Sequence, residues 1–222
     1  MTLAENVSTV LATVATAEKT IDKLGQTTVI GVTKYVEADQ ARALFQAGIT
    51  NLAENRTELF LDKHEKMSDL PITWHLIGTL QRRKVKDVIN LVDYFHALDS
   101  IKLAREIDKR AEHVIKCFLQ VNVSGEASKH GFSPDELDTV LSEISELDNV
   151  QIVGLMTMAP IDATNDELDD LFAKAKALQV SIAAKNLTNI PCTDLSMGMS
   201  RDYQTAIQHG ATFVRIGSEF FK

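Results

Sequence analysis

The sequence predicts a single (β/α)8 barrel, and three observations carry that prediction. Short apolar, β-prone runs alternate with longer amphipathic runs along the whole chain, the pattern of parallel strands joined by crossover helices. The alternation gives eight strands, the first seven each followed by a helix, with one additional helix in front; eight such units close a barrel. The Gly-x-Gly-x-x-Gly turn expected after the first strand of an open doubly wound sheet is absent. With 222 residues, the chain fits one barrel domain spanning 1–222, near the short end of the size range for this fold.

The elements follow in order. An opening helix is expected over 3–23, with Leu3, Val7, Val10, Leu11, Val14 and Ile21 along one side. Strand one covers 27–33. The helix after it, 38–47, stops at Gly48, a residue suited to a helix C-terminus. Strand two is 49–53 and its helix 56–66; strand three is 72–77, closed by Gly78, with a helix over 81–90. Strand four, 94–98, leads through Asp99 or Ser100 as cap into a helix at 101–112. Strand five is 117–123. Ser133-Pro134-Asp135-Glu136 then reads as a helix start, with a cap, a first-turn proline and acids against the helix dipole. Strand six is 151–156 with a helix over 165–185. Strand seven is the short 193–196, its helix is 203–208, and strand eight is 212–216.

Composition narrows the function. A formal net charge of -8 argues against broad binding to nucleic acid or anionic membranes. The basic run Arg82, Arg83, Lys84 and Lys86 is read as a solvated helix face. Cys117 and Cys192 sit in apolar runs with no Cys-x-x-Cys pair and read as buried thiols of a reducing compartment. The six histidines lack metal-ligand spacing, and His96 is expected as a satisfied interior residue. No apolar run reaches the roughly 20 residues a membrane helix needs, and the N-terminus lacks signal-peptide character. A cytoplasmic location is expected.

Chemistry concentrates where the strands end. Lys34 closes the first strand, and a lysine desolvated there is a candidate Schiff-base former. The same mouth would receive Glu54 and Asn55, then His75 and Gly78, then Asn122, Ser124 and Lys129, then Met156 and Met158. Barrels often hold phosphate in the loops after strands seven and eight. Here those loops are Ser196-Met197-Gly198-Met199-Ser200 and Gly217-Ser218, the second preceded by Arg215 on the strand. A lysine for an aldehyde, a cup for a phosphate and a partner for a ring nitrogen are what pyridoxal 5'-phosphate requires.

These residues carry a resemblance. Gly31-Val32-Thr33-Lys34, Glu54-Asn55-Arg56, Trp74 to Gln81, Val121-Asn122-Val123 with Glu126 and Lys129, Gly154 to Met158, Leu195 to Ser200 with Asp202, and Arg215-Ile216-Gly217 stand in family-like order. Over roughly residues 3–221 the chain resembles the YggS/PROSC family of pyridoxal phosphate homeostasis proteins, similar to the barrel domain of alanine racemase standing alone. The resemblance implies that Lys34 forms the internal aldimine with pyridoxal phosphate, and that Asn55 hydrogen-bonds near the ring hydroxyl. It implies that Arg215 faces the pyridine nitrogen, and that Ser196 holds the phosphate with the backbone amides of Gly217 and Ser218. It puts His75 at the mouth. Two departures stand out: Thr33-Lys34-Tyr35-Val36-Glu37 lacks the second lysine and the proline frequent in the family, and Ala53 replaces the usual glycine before Glu54.

An arginine can only donate, so a ring nitrogen facing Arg215 stays unprotonated and is a poor electron sink. Alanine racemase, by the resemblance, brings a second base, a tyrosine, on an additional β domain. No such domain is expected after strand eight, and Tyr35, Tyr94 and Tyr203 occupy no evident second-base position. The reading that follows is a cofactor-holding protein of vitamin B6 homeostasis, expected as a monomer, with pyridoxal-phosphate-dependent apoenzymes as candidate recipients. An amino-acid racemase or lyase, and a cofactor-free Schiff-base phosphosugar aldolase or isomerase, remain as alternatives.

Overall fold

The computed structural model describes residues 1–123 and 130–222. Its eight strands close into one parallel barrel in chain order. They are β1 Thr28–Val32, β2 Asn51–Glu54, β3 Thr73–Leu76, β4 Tyr94–Leu98, β5 Ile115–Gln120, β6 Val150–Met156, β7 Asp194–Met199 and β8 Phe213–Ile216. The outer layer is α1 Leu3–Lys19, α2 Ala38–Gln46, α3 Thr57–Lys66, α4 Val85–Val88, α5 Ile101–Arg110, α6 Leu137–Ile144, α7 Asn165–Ala183 and α8 Tyr203–Gln208. The first strand closes on the last, with Ile30 beside Arg215 and Gly31 beside Ile216. No described helix is long and apolar enough to cross a membrane.

Local chemistry explains the element ends. Reciprocal capping boxes start α1, between Thr2 and Glu5, and α7, between Thr164 and Glu167, so two orphan amides are satisfied at each start. The Ser133-Pro134 start behaves likewise: Glu136 accepts from the Ser133 amide at 2.8 Å, and a 3-10 turn at Pro134–Glu136 feeds α6. α1 ends at Lys19, short of the expected 23, because Asp22 and Gly25 turn the chain through positive φ.

The largest departure lies after β3. The expected helix over 81–90 is only the single turn α4, between 3-10 turns at Arg82–Lys84 and Ile89–Leu91. Three successive cations lead that segment, and Val85, Val88 and Ile89 are β-branched residues that lose χ1 freedom in a helix. All three are buried against the barrel, so packing rather than helix propensity sets their conformation. Arg82, Arg83 and Lys86 point to solvent and Lys84 pairs with Glu58, which makes the run the solvated face that was expected. β7 is longer than expected, and its pairing with β8 shifts register between Ser196 and Met199.

Between barrel and helices lies one continuous apolar shell. Leu44 of α2 and Leu52 of β2 are fully buried and meet at Gly31, where a Cβ would stand 2.6 Å from the Leu44 side chain. A larger residue there would push α2 off the barrel. Trp74 packs edge-on against Phe60 of α3, with centroids 5.5 Å apart. Both cysteines are free and buried; burial pushes the Cys192 thiol up to about 12 and raises Cys117 further.

Candidate functional site

Strand parity decides which side chains enter the barrel. Outward residues such as Leu52 and Trp74 meet helices; their neighbours point inward. β1 and β2 pair with Val32 beside Ala53, so Lys34 and Asn55, each two residues further on, leave adjacent strands at the same level. Lys34 is half-buried. Its Nζ lies 4.9 Å from the centroid of the exposed Tyr35 ring.

The backbone beneath Lys34 is held by a buried ion pair that the sequence did not reveal. Lys63, from α3, reaches Glu54 at the end of β2, with the two side chains 3% and 0% exposed. Lys63 Nζ also donates to the Thr33 carbonyl at 2.8 Å, and the Thr33 hydroxyl donates to Glu54 Oε1 at 2.6 Å. The peptide leading into Lys34 is thereby clamped to α3. Asn55 is seated in turn by Gly78, where a Cβ would fall 2.0 Å from the Asn55 carbonyl oxygen.

Arg215 points inward from β8 and is 5% exposed. It donates to the Ser196 hydroxyl at 2.6 Å and to the Thr157 carbonyl at 3.0 Å. Burial lowers its pKa to about 10, opposed by the charge of Asp202, so it remains a cation at neutral pH. Asp202 accepts from the Met199 amide at 2.6 Å and so shapes the loop after β7. Burial raises its carboxyl above the ordinary value, against the Met199 hydrogen bond and Arg215.

Two expected site residues lie deeper than the sequence indicated. Ser196 sits inside β7, fully buried, its hydroxyl shared between Arg215 and His96. His75 is not at the mouth: its ring is wholly buried in the barrel, bonded to His96 and Asn51 at 2.9 Å each. The reason is again parity, because His75 is the inward residue of β3 and is paired with Ala53, one residue before β2 ends. Burial lowers the His75 pKa to about 3. Burial, with the neighbouring His75 and Arg215, puts His96 well below its ordinary value. His96 is the satisfied interior residue that was expected.

The hydroxyl that does stand at the phosphate-type loops is Ser200. It is half-buried and accepts a long 3.4 Å bond from the Gly217 amide. Gly217 lies against β1, where a Cβ would come 3.0 Å from the Val32 carbonyl oxygen. Ser218 follows, exposed. Gly198 turns at φ 91° against α8, which lets the chain leave β7 toward Ser200. Met156 ends β6 buried and Met158, two residues on, is exposed. Ser124, Glu126 and Lys129 lie outside the described residues. Among the described residues no cluster of three His, Cys, Asp or Glu side chains could hold a metal.

The parallel (β/α)8 barrel belongs to the alanine racemase N-terminal domain class, whose family model matches residues 9–222. Among similar proteins, the pyridoxal phosphate homeostasis protein of Aquifex aeolicus is 37% identical over 86% of this chain and 85% of its own length. The Escherichia coli protein of that name is 33% identical, over 87% and 84%. PipY of Synechococcus elongatus, solved with PLP bound, is 32% identical with a TM-score of 0.86, covering 99% of this chain and all of that one. An alanine racemase from Clostridium difficile, at 13% identity and a TM-score of 0.78 over 56% of its length, shares the fold alone. The chain belongs to the YggS/PROSC family of pyridoxal phosphate homeostasis proteins.

Proposed function

We propose that the protein binds pyridoxal 5'-phosphate at the barrel mouth, linked to Lys34, and keeps that reactive aldehyde available to other proteins. The observation that carries this reading is the pairing of β1 with β8, Ile30 with Arg215 and Gly31 with Ile216, so that Arg215 lies within the barrel beside the strand that leads into Lys34 and Gly217 follows just past β8. The residues present fit the group. Gly217 offers a backbone amide whose bond to Ser200 is long and easily exchanged for an anion. Arg215 is a buried, donor-only cation suited to an unprotonated ring nitrogen.

Bound, the cofactor supplies an electrophilic aldehyde carbon and a conjugated ring. Lys34 would hold that aldehyde through its amine. Asn55, level with Lys34, would serve the ring hydroxyl. Ser200 with the amides of Gly217 and Ser218 would hold the phosphate, and Ser196 fixes Arg215 from behind. The donor-only Arg215 disfavours carbanion chemistry, which supports holding and delivery over turnover. Release would need only an incoming amine to take the place of Lys34.

Delivery is tested with loaded, desalted protein and a pyridoxal-phosphate-dependent apoenzyme. Recovery of apoenzyme activity faster than from an equal amount of free cofactor trapped by a scavenging amine is expected. Recovery abolished by the scavenger would refute delivery.

A further inference from the structure

Behind Arg215 and Ser196 the barrel interior carries a continuous polar chain whose histidines the cofactor reading leaves unused. Arg215 donates to Ser196; Ser196 Oγ lies 2.8 Å from His96 Nδ1; His96 Nε2 lies 2.9 Å from His75 Nδ1; His75 Nε2 lies 2.9 Å from Asn51 Oδ1. Asn51 on β2 and Arg215 on β8 both pair with Ile30 of β1, so the chain crosses the barrel interior from β2 through β3, β4 and β7 to β8.

We propose that Asn51, His75, His96 and Ser196 form a one-way hydrogen-bonded relay that positions Arg215 for its ligand, with both histidines held as neutral Nε2–H tautomers. The proposal rests on the reading that Arg215 faces the ring nitrogen.

The direction follows from donor arithmetic. An arginine has no acceptor, so Ser196 Oγ must accept from it and send its own proton on to His96 Nδ1. His96 then carries its proton on Nε2 and donates to His75 Nδ1. His75 in turn carries its proton on Nε2 and donates to the Asn51 oxygen. The reverse polarity would aim two donors at Ser196 and leave its hydroxyl proton without an acceptor among the described residues, a costly defect at a fully buried site. Aromatic packing locks the rings. Tyr94 stacks on His75 with centroids 4.9 Å apart and 7° between planes, and Phe118 stacks on His96 at 4.3 Å. The burial that keeps both imidazoles uncharged agrees with this arrangement. Two like-charged rings at this spacing beside Arg215 would repel it.

The test is two-bond 15N–1H correlation NMR on histidine-labelled protein without cofactor. Nε2–H patterns for both His75 and His96 are expected at neutral pH; an Nδ1–H or doubly protonated ring at either position would overturn the relay. Ser196→Ala provides the positioning test. It should hold pyridoxal phosphate about tenfold more weakly, about 1.4 kcal/mol, and alter the His96 tautomer signal, with both effects reversed in Ser196→Thr. A folded Ser196→Ala protein with unchanged affinity and unchanged histidine signals would overturn the proposal. If that variant fails to fold, the wild-type NMR result decides. Arg215→Met separates the two readings: unchanged cofactor affinity there, with Nε2–H histidines in the wild type, would sink the ring-nitrogen reading and leave the relay geometry standing.

Discussion

Lys63→Met is a sharp test of how the mouth is built. The Lys63–Glu54 pair is almost entirely out of water, at 3% and 0% exposure, and Glu54 Oε2 already has no hydrogen-bond partner among the described residues. Removing the cation therefore strands a carboxylate that has little to fall back on. Breaking one partner of a buried pair costs about 3–5 kcal/mol. For a protein of this size each kcal/mol shifts Tm by about 2–4 °C, so the melting temperature should fall by roughly 6–20 °C. The double variant Lys63→Met with Glu54→Gln should recover a large part of that loss, because the charge is gone while the Thr33 hydroxyl keeps an acceptor. Urea unfolding of wild type, both single variants and the double variant gives the coupling directly. A Lys63→Met loss below about 1 kcal/mol, at the level of surface pairs, would refute the reasoning. Because Lys63 also holds the Thr33 carbonyl, the folded fraction of this variant should bind pyridoxal phosphate more weakly as well.

Three further outcomes are expected. Gly154→Ala places a Cβ 2.1 Å from the Asp194 carbonyl oxygen on the neighbouring strand, and should cost about 3 kcal/mol or more by overpacking, measured by denaturant unfolding. Gly78→Ala meets the Asn55 carbonyl at 2.0 Å; cofactor titration should show weaker binding with a smaller change in unfolding midpoint than Gly154→Ala. Burial opposes ionisation of Glu18, but the Gly25 and Thr27 amides, at 2.8 and 2.6 Å, outweigh it and hold the carboxyl below its ordinary value. Its stabilisation is therefore present above the unfolded pKa of about 4.3 and is lost as pH falls through the lower folded value. The fall in urea midpoint between pH 6 and pH 3 should shrink in Glu18→Gln.

The barrel was legible because its cue is repetitive: eight β-prone runs, each needing a partner on both sides, and a helix start written in Ser133-Pro134-Asp135-Glu136. The segment after β3 was not, since Val85, Val88 and Ile89 look helical by spacing while burial, not periodicity, sets their conformation. The positions of Lys34, Asn55 and Gly217 at the barrel mouth could be read because a strand-end position is a local property. The depth of His75 and Ser196 could not. Whether such a residue reaches the mouth depends on register between strands, and the contact between His96 and Ser196 joins positions 100 apart in sequence. Lys63 was hidden for a related reason: on α3 it has the spacing of a solvated lysine, and only the packing of α3 on β2 brings it to Glu54.

The most direct test of the central reading is borohydride reduction of cofactor-treated protein followed by peptide mapping. The expected result is one pyridoxyl adduct, on the peptide carrying Lys34, with loss of the visible absorption band and no adduct in Lys34→Ala. An adduct confined to another lysine, or a Lys34→Ala protein that still forms a borohydride-stable adduct at the mouth, would contradict it.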